Sequence, residues 1–331
     1  MPYRFLILPA AFILDLVTGD PQWKYDPIRL LGNLITYLER LIRKTRPSYE
    51  QNVDEKVLER LQKKEFRNGL LEVILVCLIA FLVPFILLRL LYGLLPFLGF
   101  IAETILCSLL LKTSSLRNES MTAYQALRSG DLSKAKETVC MQAGYEIHVE
   151  SASDITRAAV GALTEAASDG TIAPMLFMAI GGVPLMAVCK AVNMMDNVLG
   201  HKSGLYLYYG RAAAKLDDAV NYIPSRICGW LIVASAYLLG FDGTNAKMIY
   251  LRDRTKHDSP NSAQTEAAIA GALNIRLGGE RVGEGAQKAK PVIGDPNRPV
   301  ELEDIPRTIR IFYAAAIISV IVFTFIFKIL H

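Results

Sequence analysis

The sequence predicts an all-α, polytopic membrane protein with about five to six transmembrane helices. Two observations lead to this prediction. Of the 331 residues, 52% are hydrophobic, which is high for a soluble domain. These residues also concentrate in several runs that approach the length needed to cross a bilayer. We expect a single integral-membrane domain over residues 1–331, with a basic loop at 17–67, a helical loop at 112–169 and a soluble loop at 242–310.

The N-terminal region is predicted to begin with a short apolar helix over residues 3–17, which carries Asp15. It is at the short end for a full span, and because no small-residue cleavage site follows, we expect it to be retained. Pro27 suits the first turn of a helix, and the next helix is predicted over 28–44. Its apolar face and basic end leave two alternatives: an ordinary amphipathic helix, or one that lies on the bilayer surface.

A charged helix over 48–67 is predicted to lead into two spans, 70–88 and 90–111, which Arg89 separates. Two spans joined by so short a hinge form a helical hairpin. The polar loop that follows is predicted to contain three helical pieces, over 123–127, from Asp131 or Ser133 onward, and over 153–167.

The next apolar segment, 171–194, is interrupted by Gly181, Gly182 and Pro184. A broken helix at membrane depth is tolerated where it faces protein or a wet cavity. The sequence leaves open whether this segment crosses the membrane or dips and returns. The remaining predicted elements are a span over 223–241, a small-residue helix over 265–273 and a final span over 311–330.

The distribution of Lys and Arg predicts the orientation. Most of the early basic residues lie in 17–67 and another large set lies in 242–310, so both loops are expected on the cytoplasmic side. The net charge is only +4, which fits such topology-setting loops better than a nucleic-acid surface. A full crossing at 171–194 would put Asp217 and Asp218 on the other side.

The composition disfavours several other kinds of site. The five cysteines form no C-x-x-C pair and are expected to be reduced. The four histidines show no zinc-binding pattern, and the chain has no Walker A motif.

Polar residues gather around the segment 171–194. Ionisable groups beside a membrane-length run are costly, so each is a functional candidate, and oxygen ligands are what Mg²⁺ and its phosphate complexes need. The candidates are Glu165 and Asp169 before the segment, Lys190 and Asn193 within it, and Asp196, Asp217, Asp218 and Asn221 after it.

Each candidate also has a plain structural alternative. The pair Asp217-Asp218 could be a solvated helix start, Asp169 a helix cap, and Lys190 a lysine that snorkels from a span end. Asp20 could form an Asx turn. His257 could be a general base or phosphate contact, although most loop histidines are neither.

A series of sequence words resembles the CobD/CbiB family, the membrane adenosylcobinamide-phosphate synthases of cobalamin biosynthesis. The words occur in the family's order over nearly the whole chain, and together they are specific. They are LDLVTGDPQW (14–23), DPIRLLG (26–32), SDGTIAP (168–174), AIGGVPL (179–185), KAVNMMD (190–196), KLDDAVNYIPSR (215–226), HDSPNS (257–262), TEAAIAGALNIRLGG (265–279) and IGD (293–295).

The resemblance implies a reaction in which ATP and Mg²⁺ drive amide formation between an aminopropanol arm, usually its O-phosphate, and a propionate carboxylate of adenosylcobyric acid. Such an enzyme would lie in a prokaryotic inner membrane with its active face toward the cytoplasm. Membrane lipid is an expected partner; other corrinoid-pathway membrane enzymes and a second copy of the chain are further candidates, and nucleic acid is not.

The resemblance also assigns roles to residues as expectations. Catalysis is expected from Lys190, Asp218 and His257, and metal binding from Glu165, Asp169, Asp217 and Asp218. Substrate or phosphate binding is expected from Asp20, Arg29, Asn193, Asn221, Asn261, Glu266 and Asp295. We predict a cytoplasmic cleft, where the loops 112–169 and 242–310 meet, lined by Asp20, Glu165, Asp169, Lys190, Asp217, Asp218 and His257.

The chain departs from the family pattern at three places. Tyr145, Glu146 and Ile147 stand where the family usually has Arg-Asp-Thr, and Ala166 stands where it has Asn. Near the start, Tyr25-Asp26-Pro27 replaces Pro-His-Pro. The departures leave open a catalytically altered or inactive membrane scaffold or sensor. The broken segment around Lys190 leaves open a membrane transporter, although a carrier has no need of the soluble-loop words.

Overall fold

The computed structural model describes residues 3–19, 26–43, 55–200, 206–279, 281–282 and 288–330. Within these ranges it is almost entirely helical. The helices are α1 (Ile7–Thr18), α2 (Pro27–Ile42), α3 (Glu55–Leu94), α4 (Pro96–Leu110), α5 (Thr113–Arg128), α6 (Leu132–Ala143), α7 (Ala152–Ala167), α8 (Ala173–Leu199), α9 (Arg211–Val220), α10 (Tyr222–Leu238), α11 (Gly243–Asp253), α12 (Ser262–Leu273) and α13 (Asp304–Leu330).

The three described strands have two residues each and pair antiparallel in the order β1–β2–β3. They are β1 (Ile147–His148), β2 (Arg281–Val282) and β3 (Lys288–Ala289). This small sheet joins the loop 112–169 to the loop 242–310, since β1 belongs to the first and β2 and β3 to the second.

The prediction of an all-α polytopic membrane protein is confirmed. In the described part of the chain, four helical runs are long and apolar enough to cross a membrane, namely Lys56–Leu94, Pro96–Arg128, Ala152–Leu199 and Asp304–Leu330. Helices α1 and α10 were expected to be membrane-embedded, but they have only 12 and 17 residues. Four described runs therefore meet the length of a full span, and α10 is one residue shorter than the 18-residue minimum.

Several helix starts follow the predicted capping chemistry. Pro27 is at the first position of α2, and the Asp26 carboxylate accepts a hydrogen bond from the backbone N–H of Arg29. Asp131, rather than Ser133, caps α6 by accepting from the N–H of Lys134 at 3.0 Å. Each cap satisfies a backbone donor that the first helical turn leaves unpaired.

The predicted boundary at Arg89 is wrong. Helix α3 continues through Arg89, whose side chain is exposed, and ends at Leu94. The break comes at Leu95, which is extended with φ −148° and ψ 121°. Its cause is Pro96, since a proline disfavours the helical conformation in the residue before it. The charged helix expected at 48–67 is, from Glu55 onward, the first part of α3.

The long helical runs differ in how much they face lipid. In the most apolar 18-residue window of α3, only 22% of the residues are buried inside the protein, against 72% for Ala152–Leu199. Helix α3 therefore presents apolar side chains outward, as expected next to lipid tails, whereas the run Ala152–Leu199 forms the protein's interior.

The run Ala152–Leu199 folds into a hairpin whose turn is at Gly181 and Gly182, where α8 loses helical geometry. A π-helical segment, Ser168–Ile172, joins α7 to the first part of α8. Asp169 and Asn193 line one cavity, although a straight helix would hold them about 36 Å apart. The segment therefore dips and returns, which was one of the two predicted alternatives.

A buried ion pair lies at the hairpin turn. The Glu103 side chain is fully buried and receives hydrogen bonds from the Arg4 guanidinium at 2.9–3.3 Å and from the Tyr92 hydroxyl at 2.6 Å. A Cβ placed on Gly182 would lie 3.3 Å from Glu103 Oε1. The turn thus packs directly against this pair.

We expect Gly182→Ala to lower the free energy of unfolding by about 1–3 kcal/mol, the usual cost of such backbone strain. Gly182 has φ +68° and ψ −168°, a region that is almost exclusive to glycine. Chemical unfolding in detergent would measure the loss. Gly93→Ala is the matched control, because a Cβ added at Gly93 would have no atom within 4 Å, and it should cause no loss; equal effects of the two changes would contradict the prediction.

A second buried polar cluster joins α2 to α3. The Arg43 guanidinium lies 2.7 Å from a carboxylate oxygen of Glu65 and 3.5 Å from one of Glu39. The Tyr209 hydroxyl donates to the fully buried Glu72, and the Tyr209 ring lies below the Arg43 guanidinium. We call this set the Arg43 cluster. Through Tyr209, the cluster connects the segment between α8 and α9 to Glu72 of α3.

Candidate functional site

A cavity of about 290 Å³ lies at the open end of the α7–α8 hairpin. One wall comes from α5, α6 and α7, which belong to the loop 112–169. Another comes from residues 257–265 of the loop 242–310, and the ends of α8 and α9 complete it. The two polar loops therefore meet around one cavity, as the sequence predicted.

Seven of the predicted site residues line this cavity. They come from four separate parts of the chain, so only the tertiary fold brings them together. They are Glu165, Asp169, Asn193, Asp217, Asp218, His257 and Asn261.

Helix α9 and the loop 257–261 hold each other in place through Asp218. Its carboxylate accepts a hydrogen bond from the Ser259 hydroxyl at 3.2 Å, and its carbonyl accepts from the Asn261 side chain at 3.0 Å. The N–H of Ser259 donates to Nδ1 of His257 at 3.0 Å. A neutral His257 ring therefore carries its proton on Nε2.

Asp217, the neighbour of Asp218, is buried and accepts a hydrogen bond from the Asn221 amide at 2.9 Å. Burial raises the pKa of Asp217 to about 7, and the nearby Asp196 carboxylate adds to the increase. A carboxyl group that changes charge near neutral pH is typical of functional sites.

This pKa predicts how stability depends on pH. Because the folded-state pKa of Asp217 is above its unfolded value, its contribution is present at acid pH and lost as the pH rises through about 7. The unfolding temperature without divalent cations should therefore fall between about pH 4 and pH 7 and level off above pH 7, and Asp217→Asn should flatten this part of the profile. Asp295→Asn, a change outside the cavity, should leave it as steep; an unchanged slope in Asp217→Asn would count against the prediction.

The carboxylates do not form a preassembled metal site. Among the described residues, no three His, Cys, Asp or Glu side chains are grouped closely enough to hold an ion by themselves. The donor set is nevertheless suitable, because Mg²⁺ prefers oxygen ligands and commonly combines one or two carboxylates with water and substrate phosphates. Asp217 and Asp218 both line the cavity and carry carboxylate oxygens of the kind that this mode of binding uses.

Glu165 already has partners for both carboxylate oxygens. One accepts a hydrogen bond from the Ser262 hydroxyl at 2.5 Å, and the other lies 3.8 Å from the Lys290 ammonium. Lys290 also lies 3.1 Å from Glu266. Glu165 is therefore a fixed part of the cavity wall, and Glu266 lies behind that wall rather than on it.

Two of the three departures from the family pattern, at Tyr145 and at Ala166, lie at or near this wall. The Tyr145 ring is 5.3 Å from the Lys290 ammonium, and Ala166 lines the cavity directly. Ile147 belongs to β1, and the Glu146 carboxylate lies 3.8 Å from the His148 ring nitrogen. Tyr145, which stands where the family usually has Arg, therefore lies close to the ammonium of Lys290.

Lys190 is not part of the cavity surface. Its side chain is 2% exposed, and its ammonium has no hydrogen-bond partner among the described residues. Lys112, which the sequence did not single out, lines the cavity instead. A snorkelling lysine would reach water, whereas the Lys190 ammonium is buried, so the structure gives no support for that alternative. An unpaired buried ammonium is also costly.

The remaining predicted residues lie elsewhere. Asn221 is buried beneath Asp217. Arg29 is exposed in the first turn of α2, and Asp295 accepts two hydrogen bonds of 2.9 Å from Arg252, away from the cavity. Asp20 lies outside the described residues.

The residues that the sequence missed at this site include Lys112, Ser259, Ser262 and Lys290. Asp196, a candidate to which no role was assigned, ends the word KAVNMMD and lines the cavity. Lys290 stands alone in a loop, and only tertiary packing brings it to Glu165.

The family model described as "CobD/Cbib protein" matches residues 8–312. The chain belongs to the CobD/CbiB family. All the described residues that line the cavity fall within the matched range. Because the match covers nearly the whole chain, the resemblance seen in short words extends to the membrane helices.

Three curated relatives are named cobalamin biosynthesis protein CobD. The chain is 36% identical to the one from Clostridium perfringens (94% of each chain covered) and 37% identical to the one from Geobacter metallireducens (95% and 94%). It is 33% identical to the one from Listeria monocytogenes serotype 4b (98% and 99%). No solved structure matches the chain.

Proposed function

We propose that this protein is a membrane-bound amide ligase of cobalamin biosynthesis, an adenosylcobinamide-phosphate synthase. It would join the amine of aminopropanol phosphate to a propionate carboxylate of adenosylcobyric acid, with ATP as the energy source. One observation carries the proposal: in a member of the CobD/CbiB family, residues from distant segments converge on a single cavity that holds carboxylates, amides, a histidine and a lysine.

The chemistry needs three kinds of group. A carboxylate is a poor acyl donor, so ATP must first phosphorylate it; the amine then attacks the acyl phosphate, and phosphate leaves. Lys112 supplies a positive charge for phosphate oxygens. The carboxylates Asp217 and Asp218 would hold Mg²⁺, which neutralises phosphate charge when bound. His257, whose Nδ1 already accepts from the N–H of Ser259, would donate its Nε2–H to a phosphate oxygen, and the departing phosphate would take the proton that the amine loses.

The size of the cavity restricts what can enter it. Pockets for drug-sized ligands measure about 300–1,000 Å³, and this cavity, at about 290 Å³, is at or below that range. A corrin ring is considerably larger than a drug-sized ligand. We infer that the ring remains outside and that only its propionate arm reaches the amine and the nucleotide phosphates.

The predicted orientation in the membrane agrees with a corrin ring that remains outside the cavity. The loops 112–169 and 242–310 form the cavity, and the loop 242–310 is rich in Lys and Arg. We infer that the cavity faces the cytoplasm, where ATP is available, and that the helices lie in a prokaryotic inner membrane. Lipid would then surround α3, whose apolar side chains are exposed.

The test is product formation by the detergent-solubilised protein. Adenosylcobyric acid, aminopropanol phosphate, ATP and Mg²⁺ are supplied together, and the amide product is measured by mass spectrometry. We expect product only when all four are present. Replacing ATP by a non-hydrolysable analogue should abolish it.

Two negative outcomes are informative. If the protein binds the corrinoid but forms no product with either aminopropanol or aminopropanol phosphate, the scaffold or sensor alternative is favoured. Uptake of corrinoid into proteoliposomes without any chemical change would favour a transporter.

A further inference from the structure

Lys290 is a buried lysine beside the proposed active cavity. Its side chain is 7% exposed, and its ammonium lies 3.1 Å from Glu266 and 3.8 Å from Glu165. Glu266 is itself almost fully buried, whereas Glu165 is at the cavity surface. Lys290 therefore connects a carboxylate inside the protein with one that the ligand would meet.

Electrostatics explain why the lysine stays charged there. Burial by itself would lower the pKa of Lys290, but the carboxylates Glu266 and Glu165 outweigh this effect and leave the pKa well above its usual value. Removing the ammonium would leave two carboxylates close together at the wall, and an uncompensated buried charge is strongly unfavourable.

The backbone around Lys290 is held by several contacts. Lys290 directly follows β3, and its carbonyl accepts a hydrogen bond from the N–H of Gly279 at 3.0 Å. Strand β3 pairs with β2, which pairs with β1, two residues after Tyr145. The Tyr145 ring in turn packs near the ammonium. The sheet thus fixes the point from which the Lys290 side chain reaches Glu165.

We propose that Lys290 is a positioning residue, which holds the Glu165 carboxylate against Ser262 and so fixes the shape and charge of the cavity wall. Ser262 binds one oxygen of Glu165 at 2.5 Å and Lys290 attracts the other, so the side chain is held from two sides. This role deepens the proposed function and, in its catalytic consequence, rests on it.

The alternative is that Lys290 only neutralises Glu266, which is the nearer carboxylate. A double variant separates the two roles. Lys290→Met alone leaves both carboxylates without the lysine and could unfold the protein. Adding Glu266→Gln removes the buried charge that would cause unfolding, but it gives Glu165 no new partner. Lys290→Arg keeps the cation and serves as the conservative control.

We would determine the structure of the Glu266→Gln/Lys290→Met variant and measure its turnover. We expect thermal stability close to wild type, a Glu165 carboxylate displaced from Ser262, and kcat reduced about 10- to 100-fold, the size of effect seen when an outer-shell partner is lost. Lys290→Arg should recover most of the turnover.

The structural readout decides the proposal even if the proposed reaction is wrong. A Glu165 side chain that stays on Ser262 in the double variant overturns the positioning role, as does a variant with unchanged kcat. If the wild type forms no amide product, the proposed function fails, and the position of Glu165 alone then decides the role of Lys290.

Discussion

Asp218→Ala is expected to reduce kcat/KM for amide formation by about 100-fold or more, as losses of groups that stabilise charge in an active site commonly do. Asp218 lines the cavity, and its carboxylate also holds Ser259 in the loop that carries His257. The change would therefore remove a proposed oxygen ligand for Mg²⁺ and loosen the loop that carries His257 at the same time. Product formation measured by mass spectrometry provides the rate.

Two variants make this result interpretable. Asp218→Asn keeps an oxygen that can accept from Ser259 but removes the negative charge, so it separates metal binding from loop positioning. Asp295→Ala removes a carboxylate that pairs with Arg252 outside the cavity, and it should leave the rate within a few-fold of wild type. Equal activity of Asp218→Ala and wild type would exclude Asp218 from the site.

Glu103→Ala is expected to destabilise the protein by about 1.5–3 kcal/mol, the usual contribution of hydrogen bonds to a charged group. The Glu103 side chain is fully buried, and its loss would leave the Arg4 guanidinium and the Tyr92 hydroxyl without their acceptor. Chemical unfolding in detergent would measure the effect, together with the amount of folded protein in the membrane.

The matched control is Glu59→Ala. Glu59 pairs with Lys63 on α3, but both side chains are mostly exposed, and an exposed pair contributes little to stability because water and salt screen it. A loss in Glu103→Ala no larger than in Glu59→Ala would show that the Arg4–Glu103 pair does not anchor the hairpin turn.

Local chemistry allowed much of the fold to be predicted from the sequence. The start of α2 at Pro27 and the cap at Asp131 depend on neighbouring residues, so their signals are short-range. The end of α3 was misplaced because Arg89, a charged residue that reaches away from the helix, was interpreted as a boundary. Its long side chain can extend toward water without ending the helix.

The site was predictable to a smaller degree. Acidic and amide residues near the broken segment lie on the cavity because the hairpin turn at Gly181 and Gly182 brings its two arms together. Whether that segment turned back could not be deduced from composition, since a kinked span and a hairpin carry the same residues. Lys290 was missed because its role depends on a strand pairing between distant loops.

Helix α3 has a mechanical consequence for the whole protein. Its 40 residues extend about 60 Å, twice the roughly 30 Å hydrocarbon layer, so part of it is expected to extend beyond the membrane. The Arg43 cluster contacts α3 at Glu65 and Glu72, and α4 and α8 also pack against this helix. Each residue inserted into α3 between two such contacts would rotate one relative to the other by about 100° and separate them by about 1.5 Å. Insertion of seven residues nearly restores the angle but adds about 10 Å of length, so the length of α3 is fixed by its contacts as strictly as its rotation is.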